Sequence, residues 1–143
     1  MKNHLHLETI RIYLKGCNTS DVELMKSTFA PDVVHYFTTR EPVQGAETLA
    51  NHWREYQAGD SLTTWTLDHG IVEGDEAVIE WSSIEKFKDG RPSEILRGAE
   101  WYKFREGKIV EIRAYYHWVS GKPISELVNF PYTKRGYQTF DAQ

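Results

Sequence analysis

Three strand-like segments each place one ionisable or hydroxylic residue on an otherwise apolar or aromatic face: His69, Ser83 and Glu100. An imidazole has an ordinary pKa of about 6.5, so it exchanges a proton near neutral pH. A carboxyl group in an apolar wall has a raised pKa, so it can stay neutral and donate a hydrogen bond. The hydroxyl of Tyr13, on the first predicted helix, adds a second donor. These groups fit proton transfer between the protein and a small molecule.

We predict that His69, Glu100 and Tyr13 are the catalytic residues of one shared pocket. Together they could remove a proton next to a carbonyl group and stabilise the enolate. General acid–base catalysis typically raises a reaction rate roughly 10²–10⁴-fold. Elimination of water and migration of a double bond both use this arrangement. For each of the three residues the alternative is a structural role. An unpaired buried carboxylate is costly, so Arg97 or Arg113 could instead neutralise Glu100.

A second group of residues is expected to contact the ligand. His35 and Ser83 are secondary candidates for the chemistry, and most of the others are aromatic side chains that bury a large area and keep a polar handle. The predicted ligand-binding residues are His35, Phe37, Trp53, Trp81, Ser83, Tyr102, Tyr116 and Trp118. For Trp53 and Trp81 the alternative is to fill the pocket with their own side chains.

Three helices and a short strand are predicted in the N-terminal part of the chain. The first helix has the apolar spacing of an amphipathic helix, at Leu7, Ile10, Leu14 and Cys17. Ser20 and Glu23 form a capping box that opens a second helix, and Pro31 ends it. A strand follows from Val33 to Phe37, where β-branched and aromatic residues are frequent. The third helix begins after Gly45.

Four longer strands are predicted between Leu62 and Val119, separated by three tight turns at Gly74-Asp75, Asp89-Gly90 and Glu106-Gly107. Each has one apolar face, because its side chains alternate with a period of two. By this alternation His69 shares a face with Trp65 and Leu67. Helices followed by an antiparallel meander predict an α+β fold with the helices on one face of the sheet.

Composition narrows the class of protein. The chain has 143 residues, enough for one domain with its own core, and a formal net charge of −4 with scattered Lys and Arg. No basic stripe is present to neutralise a phosphate backbone, so nucleic acid is not an expected partner. Residues 1–15 lack the apolar run of a signal peptide, and no segment reaches the length of a membrane span. A cytoplasmic protein is therefore expected.

Neither a metal nor an organic cofactor is expected. Cys17 is the single cysteine, so it cannot form an internal disulfide or a cysteine-based zinc site. A pair such as His69 and Glu100 lacks the further ligands that a zinc or iron centre requires. The sequence contains no glycine-rich phosphate loop and no nucleophile elbow.

Four short motifs carry a resemblance to a known family. They are Phe29-Ala30-Pro31-Asp32-Val33-Val34, Gly45-Ala46-Glu47, Glu73-Gly74-Asp75-Glu76-Ala77-Val78 and Gly107-Lys108-Ile109-Val110-Glu111. Residues 5–119 resemble a SnoaL-like member of the nuclear transport factor 2-like superfamily, within a single domain of residues 1–143 that ends in a tail at 120–143. The resemblance implies a cone-shaped α+β fold, with three N-terminal helices packed in a strongly bent antiparallel sheet and an apolar cavity at the open end. It also implies a homodimer through the convex sheet face.

The superfamily includes polyketide cyclases, ketosteroid isomerases, dehydratases, limonene epoxide hydrolases and non-catalytic binding domains, so the fold does not define an activity. Ketosteroid isomerases hold an oxyanion with a tyrosine and a protonated aspartate, whose positions fall at Tyr13 and Glu100. Their base falls near Phe37, which cannot accept a proton. The catalytic histidine of scytalone and bile-acid dehydratases falls at His69, and their aspartate falls at Asn18.

The Asp-Arg-Asp set of limonene epoxide hydrolases falls at Ser83, Trp81 and Ala114, so epoxide hydrolysis is not expected. The favoured function is a dehydratase, isomerase or cyclase acting on a small, apolar, oxygenated molecule, such as a polyketide, terpenoid or steroid-like compound. A non-catalytic ligand-binding domain and a dimerisation domain with a filled cavity remain alternatives. An enzyme predicts an open cavity in which His69 and Glu100 lie a few ångströms apart, and a Glu100 without an arginine neighbour. The tail is expected over the pocket mouth or on a neighbouring subunit.

Overall fold

The computed structural model describes residues 4–140. The helices are α1 (Leu5–Thr19), α2 (Val22–Lys26) and α3 (Ala46–Gln57). The strands are β1 (Phe29–Tyr36), β2 (Val43–Gln44), β3 (Ser61–Glu73), β4 (Glu76–Phe87), β5 (Glu94–Arg105), β6 (Lys108–Tyr116), β7 (Trp118–Val119) and β8 (Lys122–Pro123). The predicted three helices are confirmed. None of these helices is long and apolar enough to cross a membrane.

The junction between α1 and α2 differs from the predicted capping box. Ser20 is the C-cap of α1, in the left-handed conformation with a φ of 55°, and its N–H donates to the carbonyl of Cys17. The N-cap of α2 is Asp21, whose side chain accepts a hydrogen bond of 3.0 Å from the N–H of Leu24. A carboxylate caps a helix as well as a hydroxyl does. The helix start is therefore confirmed, and the assignment of Ser20 as its N-cap is wrong.

A six-stranded sheet with the order β2-β1-β6-β5-β4-β3 forms the other layer. Strands β3 to β6 form an antiparallel meander. Strand β1 instead pairs with β6 in parallel, and it begins at Phe29, before the predicted Val33, because Phe29 already pairs with Ile109. The predicted α+β class is confirmed, and the one parallel pair makes the curved sheet mixed rather than wholly antiparallel.

The helices pack against one face of the sheet, which we call the inner face, and the predicted alternation of β4 and β5 is confirmed there. The buried core includes Leu7, Ile10, Tyr13 and Leu14 of α1, Leu49 of α3, and Ile79, Tyr102 and Ile112 of the sheet. Each buried aliphatic or aromatic side chain of this kind contributes roughly 1.5–3 kcal/mol relative to its exposed state. This apolar layer therefore fixes the helices over the sheet and defines which strand residues can face a cavity.

A β-bulge in β3 changes which of its side chains face inward. Leu67 pairs with Trp81 of β4. His69, two residues later, pairs with Glu80, so Asp68 is an extra residue in the strand. One inserted residue moves all later side chains to the opposite face of a sheet. His69 is consequently exposed, and the prediction that it shares the inner face with Leu67 is wrong.

The C-terminal segment lies on the outer face of the sheet. It covers Arg97 of β5, which is only 6% exposed. The guanidinium donates to Glu126 at 2.9 Å and to the carbonyl of Gln138 at 2.8 Å, and it lies 3.7 Å from the centre of the Tyr132 ring. Residues 125–138 therefore do not lie over the pocket mouth as predicted. Among the described residues that follow β6 (117–140), only the β7–β8 hairpin reaches the cavity, through Trp118 and Pro123.

Candidate functional site

A cavity of about 410 Å³ lies between the inner face of the sheet and helices α1 and α3. Most of its wall is apolar or aromatic. The predicted site residues that line it are Tyr13, His35, Phe37, Trp53, Trp81, Ser83, Glu100, Tyr116 and Trp118. Trp53 and Trp81 belong to the wall and leave the space open. The volume is in the range of ligand pockets for drug-sized molecules.

Two predicted site residues do not line the cavity. His69 lies after the bulge, on the exposed side of β3, so the prediction that it converges with Glu100 and Tyr13 is wrong. Tyr102 is fully buried behind the wall, where its hydroxyl contacts Glu100 instead of the open space. The imidazole in the cavity wall is that of His35, which the sequence places only among the secondary candidates.

Some lining residues were not singled out from the sequence. Thr63 precedes Trp65 by two positions in β3, and Glu85 follows Ser83 by two positions in β4. Extending the inner-face alternation toward the ends of these strands would have found them. Arg40 lines the cavity from the loop after β1, where no periodic pattern exists to predict it.

Glu100 of β5 and His35 of β1 are both buried and face each other on the inner face of the sheet. Glu100 is 8% exposed and His35 is 1% exposed. The nearest oxygen and nitrogen, Oε2 of Glu100 and Nε2 of His35, are 3.7 Å apart, which is too long for a hydrogen bond. Nδ1 of His35 lies 3.1 Å from the carbonyl of Tyr36, so it carries the proton in the neutral ring. Nε2 is then an acceptor, and it has no hydrogen-bond partner.

Burial sets the protonation of both groups. Desolvation raises the pKa of Glu100 to about 7, although the hydroxyl of Tyr102, which donates to Oε1 at 2.6 Å, favours the ionised form. Desolvation lowers the pKa of His35 to about 3, although the Tyr36 carbonyl opposes this change. At neutral pH His35 is therefore neutral, while Glu100 is present in both forms.

No lysine or arginine in the described part of the chain pairs with Glu100, and the His35 imidazole that faces it is neutral. Arg97 is held on the outer face by the C-terminal segment, and Arg113 pairs with Glu111 of its own strand at 2.5 Å. The alternative in which one of these arginines neutralises Glu100 is therefore wrong. Residues 4–140 contain no group of three His, Cys, Asp or Glu side chains placed to hold a metal ion.

Tyr13 joins the same wall from helix α1. Its hydroxyl accepts a hydrogen bond of 2.9 Å from Nε1 of Trp53 on α3, and its ring contacts the edge of Tyr102 at 6.4 Å between centres. Burial raises the pKa of Tyr13 well above its ordinary value. Tyr13 therefore remains protonated and fixes the position of Trp53 in the wall.

The indole ring of Trp81 lies against a glycine of the neighbouring strand. Trp81 pairs directly with Gly98 of β5. A Cβ atom at Gly98 would lie 2.6 Å from Cζ2 and 2.8 Å from Cε2 of the indole ring, so only glycine leaves room for it. The indole Nε1 is buried and has no hydrogen-bond partner. Residues of the wall thus include a buried unpaired donor in Trp81, a buried unpaired acceptor in His35 and the titrating carboxyl of Glu100.

The helices and the curved mixed sheet form the nuclear transport factor 2-like α+β fold. The chain belongs to the SnoaL-like domain family, whose model matches residues 10–112. The resemblance predicted from the four motifs is confirmed.

Solved structures share this fold. A protein of unknown function with a cystatin-like fold from Methylobium petroleophilum is 33% identical, with a TM-score of 0.70 over 97% of this chain and 94% of that one. A candidate polyketide cyclase from Pseudomonas putida is 18% identical, with a TM-score of 0.66 over 80% and 93%. An epoxide hydrolase from Mycobacterium tuberculosis that resembles limonene epoxide hydrolase is 14% identical, with a TM-score of 0.67 over 78% and 81%. No curated protein matches the sequence.

Proposed function

We propose that this chain is a lyase or isomerase that uses its own side chains for acid–base catalysis on a small, apolar, oxygenated molecule. The observation that carries the proposal is the pair of Glu100 and His35, with a carboxyl oxygen 3.7 Å from an unpaired imidazole nitrogen in a mostly apolar wall. Buried polar groups without partners destabilise a fold. A ligand that gives Nε2 of His35 a partner and contacts the carboxyl of Glu100 accounts for their position better than a structural role does.

Glu100 is the proposed acid and base. Its pKa of about 7 suits proton transfer at neutral pH, because the same group can then accept and return a proton. The carboxylate takes a proton from a carbon next to a carbonyl group, and the electron pair of that C–H bond forms an enolate. The carboxylic acid then returns the proton to a different carbon, which moves a double bond, or to a departing hydroxyl group, which releases water.

His35 is the proposed orienting group rather than the base. With a pKa of about 3 its imidazole is a weak proton acceptor. Its free Nε2 can still accept a hydrogen bond from a hydroxyl group of the ligand. A hydroxyl held there lies next to the carboxyl of Glu100, within reach of a returned proton.

The relatives support a reaction on a small molecule without defining it. The Pseudomonas putida protein is a candidate polyketide cyclase, and the Mycobacterium tuberculosis protein is an epoxide hydrolase. We do not propose epoxide hydrolysis here, because the positions of its Asp-Arg-Asp set hold Ser83, Trp81 and Ala114.

We also propose that the chain forms a homodimer through the outer face of its sheet. Trp101 and Tyr115 are 38% and 54% exposed on that face, and Ile71 is 63% exposed. Exposed apolar patches of this kind mark interaction sites. The C-terminal segment covers the area around Arg97, so the proposed contact uses the part of the face beyond it.

The acid–base proposal is tested with β-tetralone, a bicyclic ketone with acidic hydrogens next to its carbonyl group. The protein is expected to accelerate exchange of these hydrogens for deuterium in D₂O, measured by proton NMR. Glu100→Gln keeps the size and the contact with Tyr102 but removes the titrating group. We expect it to lower the protein-dependent exchange rate by about 100-fold, within the range of acid–base contributions.

The matched control is Glu111→Gln, the same change on β6 at a residue paired with Arg113. It is expected to leave exchange unchanged. Equal exchange rates in the wild type and in Glu100→Gln would overturn the proposed role of Glu100. Tight binding of the ketone without any exchange would favour the non-catalytic ligand-binding domain.

A further inference from the structure

Two glutamates lie directly opposite each other on the inner face of the sheet. Glu85 of β4 pairs with Glu94 of β5, and both residues line the cavity. By the period-two alternation of a strand, Glu85 shares its face with Ser83. Glu94 likewise shares its face with Leu96, and these two neighbours also line the cavity. Like charges directly opposite each other destabilise a sheet, so the fold keeps an unfavourable pair of carboxylates in the cavity wall.

Basic residues near this pair in the sequence do not neutralise it. Neither carboxylate forms an ion pair in the described part of the chain. Lys86 follows Glu85 in β4, so it lies on the opposite face of the sheet. Arg91, in the turn before β5, pairs with Asp89 at 3.0 Å. The hydroxyl of Ser61 donates to Glu85, and this neutral partner leaves the negative charge in place.

Aromatic rings adjoin the same part of the cavity. Trp65 of β3 pairs with Ser83, so it is a diagonal neighbour of Glu85, within reach of a long side chain. The ring centre of Trp65 lies 5.8 Å from that of Tyr56 and 5.3 Å from that of Trp53, and all three residues line the cavity. Burial raises the pKa of Tyr56, and the negative charge of Glu85 adds to this change. The carboxylate therefore lies near the Tyr56 hydroxyl.

The cavity lining also contains one arginine, Arg40, and it is held away from this pair. Arg40 belongs to the loop after β1, and strands β6 and β5 lie between β1 and β4 in the sheet. Its guanidinium donates to Nε2 of His52 at 3.3 Å and lies 5.4 Å from the centre of the Phe37 ring. The wall thus has an acidic part on β4 and β5 and a basic part beside helix α3.

Carboxylates beside aromatic rings form an arrangement that suits an organic cation. The faces of tryptophan and tyrosine rings attract a positively charged ligand, and quaternary ammonium groups are recognised in this way. A calcium or magnesium ion requires about six or more ligands. Residues 4–140 contain no group of three His, Cys, Asp or Glu side chains placed to hold a metal ion. An ammonium group needs no such shell, because the rings and two carboxylates suffice.

We infer that the cavity binds a molecule whose ammonium group lies between Glu85 and Glu94. The rings of Trp65 and Tyr56 contact the carbon or hydrogen atoms attached to its nitrogen. This inference rests on the proposed function and narrows the substrate class to apolar molecules that carry a protonated amine or a quaternary ammonium group. Glu100 lies on the same face of β5 as Glu94, six residues and roughly 20 Å farther along the strand. The ammonium group therefore positions the molecule and takes no part in proton transfer.

The test compares benzyltrimethylammonium with neopentylbenzene, in which a carbon atom replaces the charged nitrogen. The two molecules have the same shape and differ in charge. Four of the five tryptophans line the cavity, so tryptophan fluorescence measures how each probe fills it. We expect the wild type to bind the ammonium probe about tenfold more tightly. The double variant Glu85→Gln/Glu94→Gln is expected to bind both probes equally.

Glu111→Gln is the matched control, because it removes one negative charge on β6 at a residue paired with Arg113. It is expected to keep the full preference for the ammonium probe. Glu94→Gln alone is expected to lower the preference about threefold. It is also expected to raise the midpoint of urea unfolding without ligand, since it relieves the repulsion between like charges. A lowered midpoint would indicate a structural role for the pair and contradict the inference.

Three further results overturn the inference: equal affinity of the wild type for the two probes, no binding of the ammonium probe, or a preference retained in the double variant. The two proposals remain separable. Exchange of β-tetralone that is lost in Glu100→Gln, together with equal affinity for the two probes, refutes only the ammonium site. A preference lost in the double variant, without any exchange in the wild type, refutes only the catalytic role of Glu100.

Discussion

Glu100 links the stability of the fold to the proposed chemistry. Its carboxyl is buried against Tyr102, Tyr13 and His35, and desolvation raises its pKa from 4.5 to about 7. Desolvation lets Glu100 exchange a proton near neutral pH. It also disfavours the charged carboxylate inside the protein. Sequence alternation was sufficient to place Glu100 on the inner face, because β5 is regular at that point. It could not identify His35 as the facing imidazole, because that contact depends on the pairing of β1 with β6.

We expect Glu100 to lower the free energy of unfolding as the pH rises. Above about pH 4.5 the unfolded chain releases the proton of this residue, whereas the folded chain keeps it until about pH 7. The folded state binds more protons in this window, so stability falls through it, by about 3 kcal/mol in total. His35 acts in the opposite direction between about pH 3 and pH 6.5, because its folded pKa is lowered.

Urea unfolding of the wild type and of Glu100→Gln at several pH values separates the two effects, since His35 is common to both proteins. The stability of Glu100→Gln relative to the wild type is expected to increase from about pH 5 to about pH 7. Glu111→Gln is expected to show no such trend. A constant difference between Glu100→Gln and the wild type across this range would contradict the raised pKa.

At the scale of elements, the bulge in β3 decides which histidine can serve the cavity. Periodicity predicts the four long strands and the inner faces of β4 and β5, because each turn residue and each alternation is visible in the sequence. A single extra residue in a strand does not change the sequence pattern in a way that predicts a bulge. Asp68 lies in the bulge, where it accepts hydrogen bonds from Ser82 at 2.5 Å and from the N–H of Gln138 at 2.8 Å. Both partners are distant in sequence, so the bulge depends on tertiary contacts.

We expect His69→Ala to leave the exchange of β-tetralone unchanged, because the bulge directs this side chain away from the cavity. Proton NMR exchange rates for His69→Ala and His35→Ala, measured side by side, provide the check. His35→Ala is expected to lower the rate by about tenfold, since it removes one buried hydrogen bond to the ligand. Loss of exchange in His69→Ala, with His35→Ala unaffected, would show that the register of β3 in solution differs from the one described.

At the scale of the whole molecule, the C-terminal segment divides the outer face into a covered part and an exposed part. The sequence places Arg97 on that face but gives no periodic signal for the residues that cover it. Ser125 accepts a hydrogen bond of 2.7 Å from the N–H of Arg97, and Tyr137, in the same segment, donates to Glu80. The exposed part, with Trp101 and Tyr115, is the surface proposed to contact a second copy of the chain.

Sedimentation of the wild type is expected to show a dimer, and Trp101→Glu is expected to give a folded monomer because it places a charge in the proposed apolar contact. Val128→Glu is the control, since Val128 is 90% exposed on the C-terminal segment and outside that contact. A monomeric wild type, or a Trp101→Glu variant that remains dimeric, would refute this interface.

The region that the family model matches does not include every residue that this fold needs. The family match ends at residue 112, yet Arg97 finds its partners at Glu126, Gln138 and Tyr132. A chain shortened to the matched region would lose the Glu126 carboxylate and the Gln138 carbonyl that Arg97 contacts on the outer face, and Arg97 would keep its hydrogen bond to Ser82. A design that grafts this cavity onto another protein would therefore need to include β7, β8 and the segment up to Gln138.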